Sequence, residues 1–219
     1  MDFFMRSDAK GSIGDRFRAK RFAFFEKCLA QIEGTARILD LGGTVYFWEN
    51  RGWLNNPKVD ITLLNLEAEN TGATNIRSVA GSATDLSSYE DNAFDIVFSN
   101  SVIEHLYTWE NQVKMAKESR RVGQYHFVQT PNKYFFIEPH YRLPFFDAVP
   151  DKIAYQILTK TPIAHGKRWE PEMAKTWLAE LRLLSKKEVR TLFPDSLLYV
   201  ETFLGMTKSF TAHNFEGLS

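Results

Sequence analysis

The stretch Arg37-Ile38-Leu39-Asp40-Leu41-Gly42-Gly43-Thr44 decides how the rest of the chain is read. An apolar run ends on an acid and then on two glycines. Such a junction describes a buried strand that breaks sharply to hold a ligand, because glycine allows positive φ and a close approach of the main chain. Two further apolar runs follow in order and also end in polar residues: Val59 to Glu67 (VDITLLNLE), and Phe94-Asp95-Ile96-Val97-Phe98-Ser99-Asn100. Three such strand ends in sequence predict an α/β site of the nucleotide-binding kind.

The 219 residues suffice for one buried core and are too few for two full domains, so one domain over 1–219 is expected. Lysine plus arginine (27) balances aspartate plus glutamate (27), which leaves no global field to attract nucleic acid. The first residues lack a basic segment followed by a long apolar one, and no apolar run reaches membrane-spanning length. Cys28 is the single cysteine, which rules out an internal disulfide and cysteine-based metal sites. A cytoplasmic protein without membrane insertion or a metal centre is expected. Oligomeric state is left open.

Working outward, residues 14–33 place Phe17, Phe24, Phe25, Cys28, Leu29 and Ile32 at helical spacing, and Gly34 ends the run. Strands are expected at Arg37 to Leu41, Ile61 to Leu66, Asn75 to Ala80, Phe94 to Ser99 and Tyr125 to Gln129. A helix containing Phe47, Trp48, Trp53 and Leu54 follows the first strand, and another spans Trp109 to about Arg121. Residues 131–169 form a long aromatic and proline-rich connection around a short helix at Ile153 to Leu158, and connections of that length are usually functional. Met173 to Leu181 is helical, Ser185-Lys-Lys-Glu188 is a capping box, and Leu197 to Leu204 with Thr207 to Ala212 form a terminal hairpin. Alternating strands and helices predict a mostly parallel sheet covered on both faces.

The glycine spacing separates two nucleotide-binding readings. A dinucleotide fingerprint needs glycine at 42, 44 and 47, whereas the chain has Gly42, Thr44 and Phe47. A nicotinamide-dependent oxidoreductase is therefore disfavoured.

The ordered motifs resemble the class I S-adenosylmethionine-dependent methyltransferase family along most of the chain. Asp40-Leu-Gly42-Gly43-Thr44 looks like its first-strand motif, Asn65-Leu-Glu67 like the end of its second strand, and Gly81-Ser82-Ala83-Thr84-Asp85-Leu86 like its third-strand segment. Phe94 through Leu106 looks like its fourth-strand segment and is the most specific. The resemblance implies a Rossmann-like three-layer sandwich, with a seven-stranded mostly parallel sheet and an antiparallel C-terminal hairpin. It implies S-adenosylmethionine as cofactor and S-adenosylhomocysteine as product. The cofactor would be held by Asp40, Gly42, Gly43, Thr44, Asn65, Glu67, Ser82, Ala83, Ser99, Asn100, Ser101 and His105. The chain departs from the family's pattern in its fewer glycines, in Asn65 at a usually acidic position and in Ser82 where aspartate is common. A binding or regulatory protein without turnover is the alternative that these departures leave open.

On the substrate side, Glu138-Pro139-His140-Tyr141-Arg142 follows the fifth strand, on the side of the sheet where ligands of open α/β sheets gather. For a hydroxyl acceptor, His140 is the expected general base, oriented by Glu138, with Tyr141 and Arg142 holding a small-molecule acceptor. The same residues could instead pin the loop to the domain. Residues 1–36 are expected to form a helical cover and 131–169 an inserted substrate lid. Asp95 reads as a structural acid, and Tyr46, Phe47 and Trp48 either pack under the sheet or shield a sulfonium.

Overall fold

The structure is a computed structural model that describes residues 13–138, 141, 143–144, 146, 149–164 and 166–217, with the backbone alone at Ile13, Ile137 and Glu138. Its seven-stranded sheet has the order β3-β2-β1-β4-β5-β9-β8. The strands are β1 (Ala36–Leu41), β2 (Val59–Asn65), β3 (Ile76–Ala80), β4 (Phe94–Asn100), β5 (Gly123–Pro131), β8 (Leu197–Phe203) and β9 (Met206–His213). The first five run parallel, and β9 pairs antiparallel with both β5 and β8. This is the Rossmann-like arrangement with an antiparallel C-terminal hairpin. A separate two-stranded piece, β6 (Ile137–Glu138) with β7 (Leu143–Pro144), lies in the connection after β5.

The continuous apolar character of β1, β2 and β4 follows from burial on both faces. On one face, helix α1 (Ile13–Leu29) packs Phe22, Phe25 and Cys28 against Ile38, Ile61, Phe98 and Phe127. Aromatic edges do much of this packing: the Phe25 ring centroid lies 4.8 Å from that of Phe98 and 5.1 Å from that of Phe127. On the other face, α3 (Trp109–Val122) and α6 (Lys186–Leu192) place Met115, Ala116, Val189 and Leu192 over Leu39, Leu41 and Val97.

Several boundaries differ from the sequence expectation for local reasons. Helix α1 stops at Leu29, and the chain turns through Gly34 at φ 76°. The helix after β1 is only α2 (Val45–Glu49), because Gly52 and Asn55 both adopt positive φ and carry Trp53 and Leu54 into turns. Helix α3 runs directly into β5 at Gly123, where a Cβ would fall 2.6 Å from the Tyr125 carbonyl. The hairpin turn is Leu204-Gly205, both at positive φ, which is the two-residue type I′ geometry that suits strand twist. The capping box at Ser185 and Glu188 forms with both of its hydrogen bonds.

Between β5 and α6 a third apolar cluster forms around α4 (Asp151–Lys160) and α5 (Pro171–Glu180). Tyr141, Phe146, Leu158, Trp169 and Ala174 are buried in it. It is joined to the main body where the Arg182 N–H donates to the Glu104 carbonyl and the Arg182 guanidinium to Gln112 Oε1.

A buried ion pair ties α1 to the far end of the sheet. Arg21 Nη2 lies 2.7 Å from Glu201 Oε2 on β8, with both side chains almost fully buried, and Arg21 also donates to Asn100 Oδ1 on β4. Removing one member of such a pair leaves an uncompensated charge in a dry place. We expect Glu201→Leu to lower the unfolding free energy by about 3–5 kcal/mol, and Arg21→Met/Glu201→Leu to recover most of that loss. Urea denaturation of the three proteins checks both statements.

Candidate cofactor and acceptor site

The sheet order reverses between β1 and β4, whose neighbours run away in opposite directions, and the crevice at such a switch point is where open α/β sheets bind ligands. Four loops leave the carboxyl ends of β1, β2, β3 and β4 there, and hydrogen bonds join the first three into one rim. The Gly42 N–H donates to the Leu64 carbonyl (2.9 Å), Asn65 Nδ2 to the Gly43 carbonyl (2.9 Å), and the Gly81 N–H to the Asn65 carbonyl (2.7 Å).

The first loop is shaped by its two glycines. Gly42 sits at φ 75°, where a Cβ would meet Val102 Cγ2 at 2.6 Å. At Gly43 a Cβ would fall 1.8 Å from Asp40 Oδ2. Asp40 itself is buried, and its Oδ2 accepts from Trp48 Nε1 at 2.8 Å. Thr44 is the N-cap of α2 and accepts from the Phe47 N–H. Trp48 is buried under the sheet, whereas Tyr46 is exposed.

At the end of β2, Asn65 explains its own departure from an acid: only an amide can donate to the Gly43 carbonyl, and a carboxylate there would set two acceptors against each other. Glu67 is exposed. Leu66, which sequence reasoning passed over, is 84 % exposed beside it and offers an apolar surface at the rim. After β3, Ser82 bonds to Thr84 Oγ1 (2.8 Å) in a turn, and Ala83 packs toward the core.

Beyond β4 the three polar residues separate. Ser99 is buried and donates to the Leu41 carbonyl (3.3 Å), joining β4 to β1. Asn100 points to the α1 face and accepts from Arg21. Ser101 is held at φ 59° and donates to Gln129 Oε1 (2.8 Å). A second left-handed residue, Tyr107 at φ 62°, donates to Glu180 of α5 (2.8 Å), and the His105 ring lies edge-on to Trp177 of the same helix, 6.4 Å between centroids. Non-glycine residues at positive φ cluster where surrounding contacts over-determine the backbone, and functional loops are a common place for them. Asp95 binds the Arg37 N–H and guanidinium, a structural role at the opposite end of the strands.

Tyr141 is buried in the third cluster, with its ring 4.7 Å from Phe146 and 5.6 Å from Trp169. The Glu138 side chain, His140 and Arg142 lie outside the described residues. Among the described residues no group of His, Cys, Asp and Glu has metal-binding geometry, and no helix is long and apolar enough to cross a membrane.

Burial pushes the Asp40 carboxyl up to about 7, with the Trp48 N–H pulling the other way. In the unfolded chain it titrates near ~4. The folded state therefore keeps a proton that the unfolded state releases, so this contribution to stability is complete below about pH 4 and is lost as pH rises through about 7. Asp40→Asn keeps the acceptor for Trp48 and removes the titration. We expect the melting temperature of Asp40→Asn to gain on that of the unaltered protein between about pH 5 and 8. A pH-independent difference would show Asp40 to be ionised throughout.

Comparison with known proteins agrees with this fold. Residues 48–125 match the family model described as a methyltransferase domain. No curated protein sequence matches the chain. Among solved structures, the PH0226 protein from Pyrococcus horikoshii OT3 is similar at 14% identity and TM-score 0.56, over 99% of this chain and 96% of that one. A trans-methyltransferase, CalH, solved in complex with S-adenosylhomocysteine, is similar at 11% identity and TM-score 0.54, over 92% and 59%. A sarcosine dimethylglycine methyltransferase from Galdieria sulphuraria, so named as putative, is similar at 17% identity and TM-score 0.52, over 84% and 63%. These likenesses are of fold. Residues 48–125 thus carry the pattern of a methyltransferase domain, on a fold shared with S-adenosylmethionine-dependent methyltransferases of known structure.

Proposed function

We propose that this chain is a class I S-adenosylmethionine-dependent methyltransferase that acts on a small-molecule acceptor, at oxygen or nitrogen, as a single domain over 1–219 in which 1–36 covers one face and 131–169 forms a substrate lid. The observation that carries the proposal is the gathering of residues 42–44, 65–67, 82–84 and 99–105 at the switch point of the sheet, the first two segments bonded to each other. The apolar cluster around α4 and α5 supports the lid, since Tyr141, Phe146, Leu158 and Trp169 of that segment share a core with Ala174 of α5.

S-adenosylmethionine supplies an electrophilic methyl group on a sulfonium. The chain's part is to hold the two reactants in line and to exclude water. Gly42 and Gly43 suit this because no side chain separates their backbone from a ligand, and any added Cβ collides with Val102 or Asp40. Asn65 would offer its carbonyl oxygen to a ribose hydroxyl while its NH₂ stays on Gly43, with Glu67 as a second acceptor. Ser82, Ala83 and the exposed Leu66 would face the adenine. Asp40, Thr44 and Ser99 would act through the loop and floor they brace, and Asn100, Ser101 and His105 would border the reacting end.

For a hydroxyl acceptor, His140 would take the departing proton with Glu138 orienting it, and Arg142 would contact the acceptor. Tyr141, buried between Phe146 and Trp169, would hold the loop that carries them. The free, buried Cys28 supports a cytoplasmic setting.

Calorimetry with S-adenosylhomocysteine is expected to show saturable binding, and an acceptor panel with labelled S-adenosylmethionine to yield a methylated product. Binding without any product would favour the non-catalytic reading, and no binding by folded protein would remove both. His140→Ala is expected to lower turnover by about 10²-fold or more, with cofactor affinity unchanged. An unaltered rate would assign His140 to structure.

A further inference from the structure

β8 and β9 pair regularly except at one step: Glu201 faces Ser209, and the next residue, Thr202, faces Thr207. Lys208 is thus the extra residue of a β-bulge, and a bulge re-aims side chains that regular alternation would send to opposite faces. Ser209 donates to Glu201 Oε2, which Arg21 of α1 also holds, while Lys208 Nζ lies over Phe17 of α1 at 4.7 Å from the ring centroid. Two consecutive residues of one strand therefore serve the same helix, Lys208 directly and Ser209 through Glu201.

The position belongs to the ligand-binding end of the sheet. The Lys208 carbonyl accepts from the Asn132 N–H (2.9 Å), immediately beyond β5, and Arg21 connects the same region to Asn100 at the end of β4. Arg18 and Arg21 also border a small cavity of about 10 Å³ that reaches Asn100. Phe17 stands edge-on to Phe203 (6.1 Å), which in turn meets Phe135 (6.4 Å), so the ring under the ammonium begins a row of three.

Among the described residues Lys208 has no ion pair. The nearby carboxylate, Glu201, is committed to Arg21 and Ser209 through Oε2. Burial pushes the Lys208 ammonium down to about 8, Glu201 acts against this, and Arg21 and Arg18 add to it. Holding a partly buried cation beside other cations costs stability, and a bound anion would offset that cost.

We propose that Lys208 binds an anionic group, a carboxylate or a phosphate, on the methyl acceptor, whose remaining body lies against Phe17, Phe135 and Phe203. Only the word acceptor rests on the methyltransferase reading; the anion site stands on the bulge and the unpaired ammonium.

The test uses phenylacetate and phenyl phosphate as anionic probes and phenylacetamide as the neutral control. Each is titrated by calorimetry into the ligand-free protein and into protein saturated with S-adenosylhomocysteine. One or both anions are expected to bind at least about tenfold more tightly than phenylacetamide in both forms, and the tighter of the two names the head group. Lys208→Met is expected to abolish the preference and Lys208→Arg to retain it, with equal S-adenosylhomocysteine affinity in all three proteins. Equal binding of anion and amide, or a preference that survives Lys208→Met, overturns the proposal. So does a preference that disappears on saturation, which would assign the seam to the cofactor's own carboxylate. If S-adenosylhomocysteine fails to bind, the methyltransferase reading falls, and the anion site is still decided by the ligand-free titration.

Discussion

The carboxylate of Asp40 is the constraint on which the ligand end of this protein depends. It is buried at the end of the central strand, it holds the indole N–H of Trp48, and it occupies the space where a side chain at residue 43 would be. Three consequences follow from one group. The first turn must use glycine, α2 must begin where it does, and the main chain of Gly42 and Gly43 stays bare beside the crevice. An apolar residue at 40 would leave the Trp48 N–H without an acceptor in a dry interior, and a longer acid would not fit beneath the turn.

From that turn the rim is wired outward by short polar links. Asn65 reaches back to Gly43, Gly81 reaches Asn65, and Ser99 reaches Leu41. None of these bonds is strong alone, but each fixes one strand end against the next, so the loops form a preorganised edge. On the opposite side of β4 the device is different. The ion pair of Arg21 with Glu201 joins two segments 180 residues apart and also takes in Asn100 and Ser209. Burial of this kind contributes little net stability but penalises any other arrangement of α1 against the hairpin.

Much of the architecture was legible in the chain because it rests on local pattern. Doubly buried strands read as apolar runs, Ser185 and Gly34 mark helix ends, and a two-residue turn containing glycine marks the hairpin. Errors fell where a local rule was overruled by its neighbours. Helix α2 was read as longer because Phe47, Trp48, Trp53 and Leu54 share helical spacing, yet Gly52 and Asn55 at positive φ break it. In the same way Asn65 read as a weakened contact, whereas its amide closes the loop that an acid could not.

The sequence by itself determined the order of strands and helices, the glycine turn after β1 and the membership of the fold, because these follow from periodicity, from backbone freedom and from short-range motifs. Only the tertiary structure decided which polar residues brace the site and which face it. It turned Ser99 into a strap between strands, buried Asp40 beneath its own turn, and used a bulge to bring Lys208 onto the side of Arg21 and Phe17. The physical reason is that such roles depend on which distant groups already satisfy a charge or a hydrogen bond, and on a one-residue shift in strand register.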